Sequence, residues 1–223
     1  MHMRWLLPST ALAATLLNSG CISLLPKQPP PTPLYALASF QPDSPAQAGA
    51  GAEAGAIFAI QTPEGPAAML GDDLVWRIEQ KVAFVENAAW SGPARLELAA
   101  LLADALRGRP GVRASALTAD SARADVSLRW VIDAFEVVEA DGNAPQAHFV
   151  ASAQLVDARN RALIATHRVG VSKPLEKRGS AQAARALREA ASQGIDELAQ
   201  WAGLRAQAFV QAKGSAAPAA PKG

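Results

Sequence analysis

The sequence predicts an α+β fold, and three observations carry that prediction. Strand-like and helix-like runs come in blocks (strands, helix, strands, helix), where an alternating α/β chain would interleave them singly. The later strand runs follow one another through short polar turns, the pattern of an antiparallel meander. Two segments repeat apolar residues at three-to-four spacing, so each presents one apolar stripe. The expected architecture is therefore a mainly antiparallel sheet packed against two amphipathic helices, in a 223-residue chain that suits one domain with tails.

Residues 1–20 read as a secretory signal peptide: Arg4 supplies the positive start, Leu6 to Leu17 the apolar stretch, and Asn18-Ser19-Gly20 a small and polar end. The stretch is shorter than the ~20 apolar residues that span a bilayer, and Pro8 interrupts it. Cys21 is the one cysteine of the chain, which excludes an internal disulfide framework and a cysteine-only metal site. Ser19-Gly20-Cys21 resembles the lipobox of bacterial lipoproteins, departing from it at Asn18, where an aliphatic residue is usual. The resemblance implies cleavage before Cys21 and acylation of its thiol and new amino group. Each buried methylene contributes ~0.8 kcal/mol, so several acyl chains hold durably where one does not. Ile22 stands where enteric inner-membrane lipoproteins carry aspartate, which points to the outer membrane. Residues 21–33 are then the lipidated N-terminus and a tether, because Pro26 to Pro33 (PKQPPPTP) is too proline-rich for helix or central strand.

The domain is expected over 34–211. Tyr35 to Phe40 reads as a first strand, 41–56 as a Pro, Ala and Gly-rich flexible insert, and Ile57 to Thr62 as a second strand. Leu74 to Ile78 and Val82 to Val85 alternate and meet near Gln80-Lys81, a hairpin without an Asn-Gly turn signal. Ser91-Gly92-Pro93 opens a helix whose stripe is Leu98, Leu101, Leu102, Ala105 and Leu106, and Gly108 and Pro110 end it. Val112 to Leu117 is a short strand. In Asp125 to Val138 the apolar parity switches between Ile132 and Phe135, which means either a bulge near Asp133-Ala134 or burial of both faces. Asp141-Gly142-Asn143 turns into Gln146 to Val156, and Asp157 to Asn160 turns into Ala162 to Val171. Ser180 is placed as the cap of a second helix reaching about Gln207, with Leu187, Ala191, Ile195, Leu198 and Trp201 on its stripe. Residues 212–223 read as a disordered tail.

Little here suggests catalysis. A net charge of +1 argues against nucleic acid and against a polybasic membrane patch. His148 and His167 fall in neighbouring strands, close enough in principle to meet across the sheet, but lack the clustered carboxylates or cysteines of a metal site. Asp72-Asp73 reads as a solvated turn, and Asp133 and Glu136 as structural charges that need partners if buried. The Gly49-to-Gly55 fragment lacks the strand and helix of a phosphate loop. Trp76, Trp90, Trp130 and Trp201 read as core residues, with interface anchoring the alternative for some of them. No cofactor, metal or catalytic residue is expected, which leaves Cys21 as the sole candidate site residue.

The lipidated cysteine, the proline tether, Tyr35-Ala-Leu37, Leu70 to Ile78 (LGDDLVWRI), Val82 to Trp90 (VAFVENAAW), Pro93 with its helix, and Ala124 to Glu136 together resemble the ABC-type transport auxiliary lipoproteins, the PqiC-like group. The resemblance implies a curved sheet against two helices and no catalytic residues. It also implies a non-enzymatic role beside MCE-domain proteins and ABC permeases that move lipids between two membranes, with acyl chains held in outer-membrane lipids. Homo-oligomerisation is a further expectation. Two alternatives stay open: a lipid-binding carrier module, and an LptE-like envelope assembly lipoprotein.

Overall fold

The computed structural model describes residues 31–37, 55–118, 123–140 and 142–215. The leader, Cys21, most of the tether, the bulk of the insert and residues 216–223 lie outside the described residues. The elements are β1 (Leu34–Tyr35), β2 (Ala56–Ile60), α1 (Ala67–Leu70), β3 (Asp73–Ile78), β4 (Lys81–Trp90), α2 (Ala94–Leu106), β5 (Val112–Leu117), β6 (Val126–Glu139), β7 (Gln146–Asp157), β8 (Leu163–Pro174) and α3 (Ser180–Ser215). Their order, blocks of strands separated by helices, is the expected α+β one.

β6 is the hub of an eight-stranded mixed sheet. Its 14 residues are long enough to carry two different strands side by side on one edge. β2 pairs parallel to Val126–Leu128, and β3 pairs parallel to Val137–Glu139. The sheet therefore forks: β5 extends the β2 branch in parallel, while β4 extends the β3 branch as an antiparallel hairpin. On its other edge β6 runs antiparallel to β7 from Val126↔Asp157 to Val138↔Gln146, and β7 pairs with β8. The long ladders are antiparallel, as expected; the short parallel ones make the fork.

The parity switch in β6 is a bulge. The register shifts between Ile132 and Ala134, and the extra residue returns Phe135 and Val137 to the face of Val126, Leu128, Trp130 and Ile132. All six are buried, and Phe135 stacks on Trp90 at 5.5 Å between ring centroids.

Helices α2 and α3 cover this face. Leu98, Leu102 and Leu106 of α2 and Leu187, Ile195 and Leu198 of α3 are buried, together with a run of alanines along α3. The alanines matter because they bring the helix close to the sheet. At Gly194 an added Cβ would lie 2.5 Å from Phe149 Cδ1, and at Gly203 it would lie 2.7 Å from the carbonyl oxygen of Pro110. These glycines are where the helix touches its neighbours, so their cost to helix propensity of ~1 kcal/mol each is offset by packing.

Several boundaries differ from expectation. The insert ends earlier, since Ala56 already belongs to β2. Described β1 is only Leu34–Tyr35, and Leu37 is buried past its end. One helical turn, α1, follows Pro66, where the sequence shows only punctuation. α3 continues past Gln207 through Ser215, so residues 212–215 are helix where tail was expected. The helix propensity of Ala and Gln carries it on, and Lys213 is held by a 2.8 Å bond to Asp157. Ser180 is the first helical residue and not a flanking cap: Gly179 supplies the carbonyl that accepts the Ala183 N–H, and the Ser180 hydroxyl lies 3.5 Å from that of Tyr35.

Candidate functional site

Cys21, the sole expected site residue, lies outside the described residues, so its acylation remains an expectation from the sequence. The other chemistry-bearing side chains can be placed individually.

The two histidines do not meet. In the β7–β8 ladder His148 faces Ser172, while His167 faces Ala153. His167 stacks on Trp201 at 5.2 Å and has Nε2 3.3 Å from Glu197, on the partly exposed flank of α3. Among the described residues no group of three His, Cys, Asp or Glu side chains could hold a metal ion. Asp72 and Asp73 are exposed at the start of β3, where the Asp72 carbonyl accepts the Trp90 N–H at 2.6 Å. Trp90 and Trp130 are core residues; Trp76 and Trp201 are only partly buried.

Among the described residues two carboxylates are buried, and each has a cation. Glu136 accepts a 3.0 Å bond from Arg77 Nε and lies 2.8 Å from Arg77 Nη2, while its Oε2 has no hydrogen-bond partner. The bond to Glu136 raises the Arg77 guanidinium further above its ordinary value, against the opposing effect of burial. Asp157 accepts 2.8 Å from Lys213 Nζ and 3.0 Å from the Arg159 N–H. Those two bonds hold its carboxyl below the ordinary value of 3.8. Asp133, expected to need a partner, accepts from Ser152 Oγ at 2.8 Å and lies 3.6 Å from Arg168 Nε. The Arg77–Glu136 and Ser152–Asp133 pairs join neighbouring strands, Arg168 reaches Asp133 across β7, and Lys213 pins α3 to the sheet. The Ser152 hydroxyl does sit on a carboxylate, and that pair is exposed on the β6–β7 ladder.

What sequence reading missed is the surface of the β3–β4 hairpin. Ile78, Val82 and Phe84 stand 44%, 54% and 54% exposed, in strands whose alternation reads like that of any half-buried pair. The ladder is Ile78↔Lys81, Arg77↔Val82, Trp76↔Ala83 and Val75↔Phe84, so Val82 and Phe84 share one face while Ile78 and Trp76 share the other. Among the described residues, β4 carries a strand on its outer edge only at Ala89–Trp90, where β1 pairs in parallel. Among the described residues no strand pairs with the rest of that edge, from Lys81 to Ala88. Helix α3 is the longest described, and no described helix is long and apolar enough to cross a membrane.

Comparison with known proteins agrees with this picture. The crystal structure of protein XCC0632 from Xanthomonas campestris, of family DUF330, superposes with a TM-score of 0.69 at 20% identity, covering 80% of this chain and 99% of that one. A second crystal structure, of an uncharacterised protein, gives 0.54 at 14% identity, over 65% of this chain and 90% of that one. PelC from Paraburkholderia phytofirmans, a dodecamer, gives 0.43 at 13% identity, over 68% of this chain and 89% of that one. No curated protein sequence matches. The first two show the fold. A family model matches residues 35–199, from β1 almost to the end of the packed part of α3, and by that match the chain belongs to the ABC-type transport auxiliary lipoprotein components.

Proposed function

We propose that this protein is a non-enzymatic periplasmic lipoprotein, held in the outer membrane by acyl chains on Cys21, that serves an ABC/MCE-type system moving lipid between the inner and outer membranes. The observation that carries the reading is the family match over 35–199, downstream of a lone cysteine set in a lipobox-like context. The family is one of transport auxiliary components and not a known enzyme family. The anchor fixes the protein at a membrane, the tether gives it reach, and its partners are an MCE-domain protein and the ABC permease.

Docking is favoured over lipid carriage by the state of the interior. The space between sheet and helices is filled by Phe58, Phe135, Phe149, Leu98, Leu102 and Leu155, each 1% exposed or less. At Gly194 even one more carbon would strike Phe149. Where α3 crosses the sheet at Gly194, an acyl chain could enter only by repacking Phe149.

Two measurements test the reading. Cys21→Ser should abolish acylation and move the protein from the outer-membrane fraction to the soluble one; a variant that stays membrane-bound and unshifted in processing contradicts the anchor. Mild-detergent affinity purification should recover an MCE-domain protein or its permease. Reproducible recovery of an outer-membrane barrel instead would favour an assembly role.

A further inference from the structure

We infer that the β3–β4 hairpin is a second membrane contact, which seats Ile78, Val82 and Phe84 in the lipid surface that holds the acyl chains of Cys21. The inference rests on the proposed lipid anchor.

Direction is the first argument. β1 runs parallel to β4, with Leu34 opposite Ala89 and Tyr35 opposite Trp90. Pro33 extends the contact, its carbonyl accepting the Ala89 N–H at 3.3 Å. In a parallel pair, stepping back along one strand means stepping back along the other. The chain therefore enters β1 from the side of Lys81, the hairpin end. Reach is the second argument. Thirteen residues, 21–33, precede β1, and at ~3.3–3.6 Å per residue they span at most about 45 Å. From Ala89 back to Lys81 is about 27 Å of strand, by the ~3.4 Å rise of an antiparallel strand. An anchor at Cys21 can thus lie level with the hairpin end without strain.

Chemistry chooses the occupant. A protein groove would cover one face of a hairpin. Here the apolar side chains stand out on both, Val82 and Phe84 on one and Ile78 on the other, as suits a finger surrounded by lipid. The tip carries Glu79, Gln80 and Lys81, all exposed, whose long side chains must reach back to the headgroups, so the seating is shallow and takes in only the end of the hairpin. A tethered second contact gains from the high local concentration of membrane that the first one supplies.

The test uses the full lipidated protein in vesicles of phosphatidylethanolamine and phosphatidylglycerol. With the Cys21 thiol acylated, an environment-sensitive dye can be placed on Val82→Cys, and on Arg159→Cys as a control at the opposite end of β6, where Asp157 pairs with Val126. The dye at 82 should shift to the blue and be quenched by doxyl-labelled lipid about twofold or more beyond the dye at 159, given the ~5–10 Å depth of interfacial apolar segments. Adding Ile78→Ser and Phe84→Ser to the labelled protein should lower that quenching while flotation persists. If the protein floats with the vesicles and the dye at 82 behaves like that at 159, the hairpin seating is wrong and the anchor stands. Failure to float removes the anchor and this inference with it. Shielding of the dye only after an MCE-domain protein is added would make the hairpin a protein contact and overturn the lipid assignment.

Discussion

Glu136 sits towards the C-terminal end of the hub strand at 3% exposure, with one carboxylate oxygen bonded to Arg77 and the other unpartnered. Removing Arg77 would strand a buried charge. Complete burial of such a pair makes its rupture cost about 3–5 kcal/mol, but the Arg77 side chain is 37% exposed, so the expected loss for Arg77→Met is nearer ~2 kcal/mol. The double variant Arg77→Met/Glu136→Leu should recover most of that loss, because no charge remains to be desolvated. Urea midpoints of the two proteins decide it, and equal destabilisation in both would mean the pair contributes by packing alone. Asp157 makes a different prediction. Its carboxyl is depressed below 3.8, first by the Lys213 bond and then by the Arg159 N–H. A depressed folded-state value means stability that is present above the unfolded value and lost as pH falls through the folded one. Lys213→Met should therefore cost ~1 kcal/mol near pH 7, discounted because Lys213 is half-exposed. The difference from the parent should shrink as pH falls below about 4; a gap that stays constant down to pH 2 would contradict the assignment.

At the scale of elements, α3 shows packing overriding propensity. Gly194→Ala would gain ~1 kcal/mol of helix propensity at an exposed site. Here the new methyl meets the Phe149 ring at 2.5 Å, and that ring is fully buried, so the expected net effect is a loss of ~1–3 kcal/mol by overpacking. Adding Phe149→Leu should return part of the loss, which a thermal melt of the three proteins would show; a more stable Gly194→Ala would mean the helix shifts freely. The same helix shows what local pattern conveys. Its stripe of Leu187, Ala191, Ile195 and Leu198 was legible because 3.6-residue periodicity marks the covered face. Its end was not, because the bond from Lys213 to Asp157 joins residues far apart in sequence. The β6 bulge was legible as a parity switch, with one of two readings left for the structure to choose. The fork was not legible, since nothing in β2 or β3 records which stretch of β6 each will pair with. The hairpin tip is the instructive miss. Alternation tells which residues share a face, and it does not tell whether anything covers that face. Cys21 is the reverse case: its expected acylation rests on its position in the sequence alone, and the described residues add nothing to it.

For the whole molecule, the forked sheet raises the question of whether the two branches are separable. The described residues from Thr32 onward belong to one compact unit, and one hydrophobic cluster runs from Phe58 on the β2 branch through β6 to Leu74 and Trp90 on the β3 branch. Helix α3 touches β2, β4, β5, β6, β7, β8 and α2, so neither branch can leave without exposing its face. The expected consequence is a single cooperative transition. Apart from Trp5 in the leader, the tryptophans sample the fold at four places: Trp76 and Trp90 on the hairpin, Trp130 on the hub and Trp201 on α3. Their fluorescence and the far-UV ellipticity should give superimposable urea curves with one midpoint. Single-tryptophan variants, with the other positions changed to phenylalanine, sharpen the test. Midpoints for Trp76 and Trp201 that each coincide with the ellipticity of the same variant establish one folding unit. A hairpin signal that melts first would make the β3–β4 branch a separate, weaker unit, as a part adapted to move against a membrane or partner would be.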